Sequence, residues 1–376
     1  MFMYIDRRRF FSYSGAFALG SASLLRGNCA LVTQANSDQL AENLELAKLG
    51  QPLTEVLTLA AQAPSGHNTQ PWTIRILDKE HWIVGIEGSR RLPGVDPTAR
   101  ETLLSLGAFL ENLIIGASHY GYRVDYRIIA TSPADSDVLD IRLQEARSSP
   151  QNLQRIKLRR TVRNGFRKEP IQSADLKSLM NYGTGLQYFA PDTAGAKCLA
   201  EGTVEANRQQ AYRDPAEEEL GKWIRWSTAD AAKYRNGLTP ASMEIEGIAG
   251  WYVSHFYDRA SVLSKSFRET TIKQVKERVG QGAGWLVVSS PDGALATLIE
   301  TGRRVERMWL TLRDMKMAIH PMTQMLEEAP WREQVARNLG TQSAPQFLFR
   351  VGYLTSYPNP TSIRMPASWI VSRSQA

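Results

Sequence analysis

Two amphipathic stretches, about 195 residues apart, resemble each other and constrain the fold of this 376-residue chain more than any other feature. They are LLSLGAFLENLIIGASHYG at 103–121 and LIETGRRVERMWLTLRDMK at 298–316. Aligning Gly107 with Gly302 also aligns Glu111 with Glu306 and sets apolar residues opposite apolar residues. This similarity predicts an internal duplication with two related halves around a shared helical core. A chance match between two amphipathic helices is the alternative interpretation.

Hydrophobic periodicity predicts both helices and strands around these stretches. Apolar residues at helical spacing predict a helix over 43–61, and Thr98 with Glu101 predicts a capping box that begins the first long helix. Strands are predicted at 72–77, 82–86, 122–128, 138–143 and 285–289.

Residues from about 200 to 280 have no counterpart near the first of the two similar stretches. This region is helical in pattern, charged and rich in aromatic residues. We interpret it as an insertion that covers a site, with an ordinary surface subdomain as the alternative.

The N-terminus is typical of a twin-arginine export signal. Arg7 and Arg8 are followed by Phe10 and Phe11 and then by a weakly apolar run. We therefore assign residues 1–38 to a signal or leader and predict a periplasmic or exported protein. A frayed basic N-terminus, and with it a cytoplasmic location, is the alternative, and removal of the leader is left open.

Composition excludes several classes of protein. Two cysteines are too few for a disulfide framework, and no run of about eighteen apolar residues predicts a membrane span. A net charge of +7 suits an anionic small ligand as well as a polyanion, but no nucleic-acid-binding motif accompanies it. None of the five histidines has metal-binding spacing, so we predict no protein-bound metal.

Two short segments carry the chemistry. The first is APSGHNTQPW at 63–72, a polar loop between a predicted helix and a predicted strand. The second is LRRTVRNGF at 158–166, where Arg159, Arg160 and Arg163 surround Thr161. Guanidinium groups match phosphate oxygens in charge and geometry, so this second segment predicts a phosphate-binding strip. A solvated basic turn is the alternative.

These segments resemble those of the FMN-dependent nitroreductase family. PSGHNTQPW resembles the family's Pro-Ser-Ser-x-Asn-x-Gln-Pro-Trp loop, and RRTVR resembles the Arg-Arg/His-Ser-x-Arg/Lys arm that begins its subunits. RVGYLTSYPNPTSIRMP at 350–366 resembles the closing Val-Gly-Tyr strand followed by Arg-x-Pro. AIHP at 318–321 resembles a Gly/Ala-x-x-Pro turn whose backbone meets the flavin ring.

The order of the segments departs from the family, because here the loop precedes the arginine arm by about 95 residues. A duplication explains this order if the first half keeps the loop and the second keeps the arm. The chain then resembles fused, double-length, Acg-type nitroreductase-like proteins. The resemblance implies an α+β nitroreductase-like fold with antiparallel sheets, in which residues 39–150 and 151–376 form an intramolecular pseudo-dimer, and hence a monomeric protein.

The resemblance also implies one FMN site between the halves. Arg159, Arg163 and Arg364 would bind the phosphate, and Arg160 or Thr161 would reach the N1–C2=O edge of the ring. Ser65 and Asn68 would bond the polar edge of the ring. Backbone approach to the flavin is assigned to three further residues, Pro64, Gly66 and Pro321.

The implied activity is transfer of two electrons from NAD(P)H through FMN to a small-molecule acceptor such as a nitroaromatic or quinone. Such chemistry belongs to the cofactor, so no side chain is assigned a catalytic role. The alternative is a flavin-binding or flavin-sequestering protein with a covered site and little turnover. A third possibility is an exported structural protein with a degenerate site.

Overall fold

A computed structural model describes residues 46–372 of the chain, apart from residue 48. The predicted leader, residues 1–38, lies outside the described residues. In chain order the α-helices are α1 (Gln51–Ala60), α2 (Arg100–His119), α3 (Gln154–Leu158), α4 (Ser173–Met180), α5 (Ala194–Ala211), α6 (Asp214–Trp223), α7 (Thr228–Tyr234), α8 (Gly247–Phe256), α9 (Lys265–Arg278), α10 (Leu295–Leu312), α11 (Gln324–Glu327) and α12 (Trp331–Asn338). The strands are β1 (Trp72–Asp78), β2 (His81–Ile86), β3 (Tyr122–Ile128), β4 (Asp137–Glu145), β5 (Leu186–Phe189), β6 (Gly284–Ser290), β7 (Met317–Pro321), β8 (Ala344–Tyr353) and β9 (Val371–Ser372).

The strands form two sheets, which makes the fold α+β, as predicted. The first sheet has the order β3-β4-β2-β1-β9 and the second has the order β5-β6-β8-β7. Neighbouring strands pair antiparallel except at β9, where Val371 lies opposite Ile74 in a parallel pairing with β1. This parallel edge strand was not predicted, and it brings the C-terminal part of the chain to the first sheet.

The predicted strands lie within one or two residues of the observed ones, because alternating apolar residues mark the buried face of each sheet. The helix predicted over 43–61 is observed as α1, which begins after Gly50, a residue with a φ of 75°. Part of that prediction lies outside the described residues. AIHP at 318–321, predicted as a turn, is instead part of strand β7, paired with β8.

The predicted capping box at Thr98 and Glu101 is wrong. Ala99, in the left-handed region with a φ of 56°, occupies the N-cap of α2, and no side chain of that residue caps the helix. The Asp96 carboxylate accepts hydrogen bonds from the backbone N–H groups of Glu101 and Thr102, at 3.1 and 2.9 Å. Because Asp96 satisfies these free helix donors, the Glu101 side chain is available for other contacts.

Helices α2 and α10, which contain the two similar stretches, cross at their aligned glycines. A Cβ atom on Gly107 would lie 2.0 Å from the carbonyl oxygen of Ile299, and one on Gly302 would lie 2.0 Å from that of Leu104. Only glycine permits two helix backbones to approach this closely. The contacts are reciprocal, because residues 104 and 299 are also equivalent in the sequence alignment.

The apolar core of the first sheet is completed by the end of the chain. Met365, Ala367, Ile370 and Val371 are buried in the same cluster as residues of α1, α2 and β1. The region from 200 to 280 contains α6–α9 and most of α5, in agreement with its helical pattern. Among residues 46–372, no helix combines the length and the apolar character that a membrane crossing requires.

Candidate functional site

A cavity of about 360 Å³ lies between the 64–68 loop, α2, α10 and the segment at 159–163. All the side chains and backbone segments that the sequence predicted for the site line this one cavity: Pro64, Ser65, Gly66, Asn68, Arg159, Arg160, Thr161, Arg163, Pro321 and Arg364. Four separated segments of the chain, at 64–68, 159–163, 321 and 364, therefore meet at one place.

The 64–68 loop has a strained backbone. His67, Asn68 and Gln70 have φ values of 46°, 54° and 52°, in the left-handed region that residues other than glycine seldom adopt. The Ser65 hydroxyl accepts a hydrogen bond from the backbone N–H of Gln70 at 2.9 Å. A Cβ atom on Gly66 would lie 2.9 Å from a methyl group of Leu92, so a side chain at this position would have to displace the end of the Leu92 side chain.

Asn68 and Gln70 fasten this loop to distant parts of the chain. The Asn68 amide donates to the carbonyl oxygens of Gly237 and Ile363, at 2.9 and 3.0 Å, and accepts from Arg364 at 2.9 Å. Gln70, which is fully buried, donates to Arg235 O and accepts from the backbone N–H of Met365. Both donors of the Asn68 amide are thus used within the protein, and only its oxygen can take a further bond.

Arg159, Arg364 and Glu306 form a buried charged cluster beside the loop. The Arg159 guanidinium lies 3.2 Å from a Glu306 carboxylate oxygen, donates to Gln62 O and stacks on the Trp309 ring. Burial raises the pKa of Glu306 to about 7, although Arg159 and Arg364 oppose this shift. Burial also lowers the pKa of Arg364 to about 9, so this group remains charged at neutral pH. Two cations therefore face one carboxyl group that is partly protonated at pH 7.

A second basic cluster surrounds Glu244, which lies in the region from 200 to 280. Arg160 donates to a Glu244 carboxylate oxygen at 2.8 Å and to Asn359 O at 2.6 Å. The backbone N–H of Arg163 also bonds this carboxylate, and its guanidinium donates to Ser242 O. Burial lowers the pKa of Arg163 to about 10. The sequence did not indicate that Glu244 neutralises the predicted phosphate-binding strip.

Two further basic residues, Arg278 and His320, line the cavity beside this cluster and were not predicted for the site. Arg350, fully buried, donates to His320 Nδ1 at 2.9 Å. Burial and the nearby arginines hold the pKa of His320 well below its usual value, so the imidazole is neutral. His320 lies inside the AIHP segment, which was the only sequence signal for it.

A pair of acidic residues in the cavity wall was also not predicted from the sequence. Glu101 and Glu327 both line the cavity, and the Thr323 hydroxyl lies between them. The sequence pattern assigned Glu101 to a helix cap, which hid this position. Within the described part of the chain, no group of three or more His, Cys, Asp or Glu residues is arranged to hold a metal ion.

Comparison with known proteins gives relatives along most of the chain, although no protein-family model matches it. The chain is 27% identical over 341 residues to a probable NAD(P)H nitroreductase, PigM of Serratia sp., with 84% of this chain and 91% of PigM covered. It is 25% identical over 333 residues to the putative NAD(P)H nitroreductase Acg of Mycobacterium tuberculosis, with 84% and 93% covered. These relatives support a nitroreductase-type oxidoreductase.

A solved structure is also similar in part. It is the FMN-dependent nitroreductase NfnB from Mycobacterium smegmatis in complex with NADPH, with a TM-score of 0.35 and 13% identity. The alignment covers 55% of this chain and 93% of NfnB.

Proposed function

We propose that this protein is an FMN-binding oxidoreductase of the nitroreductase type, which takes electrons from NAD(P)H and reduces a small acceptor such as a nitroaromatic or a quinone. One observation carries the proposal: the residues selected by resemblance to FMN-dependent nitroreductases, from segments up to about 300 positions apart, line a single cavity. Relatives named NAD(P)H nitroreductases support the same class of activity.

The cavity suits FMN in size and in the chemistry of its walls. Its volume of about 360 Å³ lies in the range of small-molecule sites. The Nε atom of Arg364 and the Nδ1 atom of His67 are buried without a hydrogen-bond partner among the described residues. Buried polar atoms of this kind are normally satisfied, so a polar ligand is expected to complete the site.

Different residues would bind the phosphate and the ring of the cofactor. Arg159, Arg364 and Arg163 would bind the phosphate by charge-assisted hydrogen bonds, and Thr161 or Arg160 would face the ring edge. Pro64, Ser65, Gly66 and Pro321 would line the ring. When bound, FMN supplies hydride and electron transfer, while the protein orients it and excludes water.

We further propose that the two halves form an intramolecular pseudo-dimer that arose by duplication. Support comes from the reciprocal glycine contacts of α2 and α10. A second reciprocal pair involves the aligned glutamates: Glu111 bonds Arg307, while Glu306 lies beside Asn112, the residue equivalent to Arg307. Export by the twin-arginine route remains a proposal that rests on the N-terminal sequence alone.

A second candidate function is flavin binding with little turnover. The inserted region supplies five residues to the cavity wall, and the backbone N–H of Gly237 bonds Asn68 O at 2.9 Å. These residues are Gln210, Leu238, Ser242, Val275 and Arg278. A wall built from the insertion would limit access of a nicotinamide donor to the ring, which favours storage over catalysis.

FMN titration of the double variant Arg159→Ala/Arg364→Ala tests the cofactor site. Each charge-assisted bond contributes about 1.5–3 kcal/mol, so the variant should bind FMN at least about 100-fold more weakly. Riboflavin has the same ring without the phosphate, and its affinity should change much less. The matched control is Arg123→Ala/Arg127→Ala, two exposed arginines on β3. Equal loss of both flavins, or full retention of FMN, would place the phosphate elsewhere.

Anaerobic mixing of the FMN-loaded protein with NADH or NADPH separates the two candidate functions. Rapid bleaching of the flavin absorption supports the oxidoreductase. A flavin that dithionite reduces but that neither nicotinamide bleaches supports storage instead.

A further inference from the structure

Two carboxyl groups in the cavity wall share a single hydroxyl. The Thr323 Oγ1 atom lies 3.1 Å from Glu101 Oε1 and 2.8 Å from Glu327 Oε1. Glu101 belongs to the first turn of α2 and Glu327 to α11, so the pair joins elements that are more than 200 residues apart. Both carboxyl groups line the cavity.

A single bound proton would complete the hydrogen bonds among Glu101, Thr323 and Glu327. A threonine hydroxyl carries one proton and can donate to only one of the two carboxylates. If both were ionised, the second short contact would set two oxygen lone pairs against each other. One bound proton resolves this contact, because the protonated carboxyl group then donates to the Thr323 oxygen while the hydroxyl donates to the other carboxylate.

The surroundings of the pair also favour a bound proton. Burial and the charge of Glu327 raise the pKa of Glu101 to about 7, and burial raises the pKa of Glu327 as well. The Arg100 guanidinium, 3.5 Å from Glu101 Oε1, opposes this rise in the pKa of Glu101 but does not cancel it. Gln210 donates to the other oxygen of Glu327 at 2.7 Å, which leaves Glu101 as the member that holds the proton near neutral pH.

The free oxygen of Glu101 lies beside the loop that borders the proposed ligand. A Cβ atom on Gly66 would lie 3.1 Å from Glu101 Oε2. The next residue, His67, presents the unpartnered Nδ1 atom, and burial lowers its pKa to about 4, so it is neutral and does not compete for the proton. The unsatisfied nitrogen indicates that a ligand contacts this part of the wall.

We propose that Glu101, in a pair with Glu327 bridged by Thr323, is the general acid that delivers a proton to the acceptor during its reduction. This inference rests on the proposed oxidoreductase function.

The step balances for a quinone acceptor. A bound, reduced FMN would supply hydride, which is two electrons and one proton, for one new bond to the acceptor. The Glu101 carboxyl group gives its proton to the other acceptor oxygen, which yields the hydroquinone and leaves Glu101 ionised. Solvent then restores that proton, and the pair returns to its singly protonated state.

Infrared difference spectroscopy tests the shared proton without any turnover. The wild-type protein at pH 7 should show a protonated-carboxyl C=O band that shifts in D₂O and disappears in Glu101→Gln. The control Glu277→Gln changes an exposed glutamate on α9 and should leave the band intact. Absence of a Glu101-dependent band would overturn the proposal.

Stopped-flow oxidation of the dithionite-reduced, FMN-loaded protein tests delivery of the proton. Benzoquinone needs protons for its reduction and ferricyanide needs none. Glu101→Gln should slow benzoquinone reduction by about 100-fold, the usual scale of general acid catalysis, and should change the rate of ferricyanide reduction far less. Both rates are compared at saturating FMN, so a change in cofactor affinity does not affect the comparison. Equal rates with benzoquinone in wild type and variant would sink the idea.

Glu327→Gln gives a signature that a purely structural role does not produce. Removal of the neighbouring charge should lower the pKa of Glu101, so the pH at which benzoquinone reduction falls should move to a lower value. If the pH dependence of benzoquinone reduction is the same in Glu327→Gln and the wild type, Glu327 does not influence the proton on Glu101, which contradicts the proposal.

Failure of this inference can be distinguished from failure of the proposed oxidoreductase function. A protein that binds no FMN, or whose bound flavin transfers electrons to neither acceptor, contradicts the oxidoreductase. The infrared band still decides in that case whether Glu101 holds the shared proton.

Discussion

At the scale of single residues, the cavity differs from a simple basic pocket because the arginines predicted for the site already have acceptors within the protein. Arg159 meets Glu306, Arg160 meets Glu244, and Arg364 bonds Asn68 and the backbone. The sequence identified the arginines, since their spacing is local. It did not identify Glu306 or Glu244 as their partners, because those lie 147 and 84 residues further along. Charge partners of this kind depend on the tertiary fold and leave no local pattern.

Glu306 makes the stability of the protein dependent on pH. Its pKa is about 7 in the folded protein against an ordinary value of 4.5, so folding takes up a proton between these values. The free energy of unfolding should therefore fall as pH rises through this window, by at most about 3 kcal/mol for this group. Glu306→Gln keeps an acceptor for Arg159 and should remove that contribution.

Urea unfolding at pH 5 and pH 7.5 measures this effect. The wild type should lose more stability between the two pH values than Glu306→Gln does. Glu101 and Glu217, whose pKa values are also raised to about 7, supply the slope that remains in the variant. Identical losses in the two proteins would show that Glu306 titrates at its ordinary pKa.

At the scale of helices and strands, periodicity predicted most elements of both sheets, because alternation along a strand directly reflects which face is buried. It failed where local patterns compete with tertiary contacts. The Thr98–Glu101 spacing fits a capping box, yet Asp96 caps the helix and Glu101 turns toward the cavity. Strand β9 has only two residues, and its pairing with β1 depends on where the chain returns.

The helix crossing gives a prediction at this scale. Gly107→Ala places a methyl group 2.0 Å from a backbone oxygen of α10, which only separation of the helices can relieve. We expect a loss of about 3 kcal/mol or more in the free energy of unfolding, as in other overpacked cores. The control is Gly116→Ala in the same helix, where the new methyl group meets the flexible Leu59 side chain at 3.2 Å.

Chemical denaturation of both variants measures the difference. Gly116→Ala should be close to neutral, because the helical preference of alanine offsets the mild contact. If Gly107→Ala also left the free energy of unfolding unchanged, the helices α2 and α10 would not be in close backbone contact.

At the scale of the whole molecule, the last described residues of the chain pack on the first sheet. Ile370, which is 1% exposed, packs in the core that α1, α2 and β1 form. The order of the motifs predicted that both halves contribute to one site. It did not predict this returning segment, because the 350–366 resemblance ends before it.

Ile370→Ala tests whether the packing of the C-terminal segment couples the unfolding of the two sheets. Removal of a buried isoleucine should cost about 2–4 kcal/mol, and hydrogen exchange should lose protection in both sheets if they unfold together. Ile248→Ala, at a side chain that is 88% exposed, is the control. Loss of protection in β1 and β2 alone would mean that the two sheets unfold independently.

Every described residue in the cavity wall belongs to one polypeptide, so the two faces of the site are held at a fixed effective concentration. A site assembled from separate subunits comes apart on dilution and then releases what it holds. Here the chain itself joins the two faces, so the dissociation constant for a ligand should not depend on the concentration of the protein. The site should therefore remain assembled even when very few molecules of the protein are present.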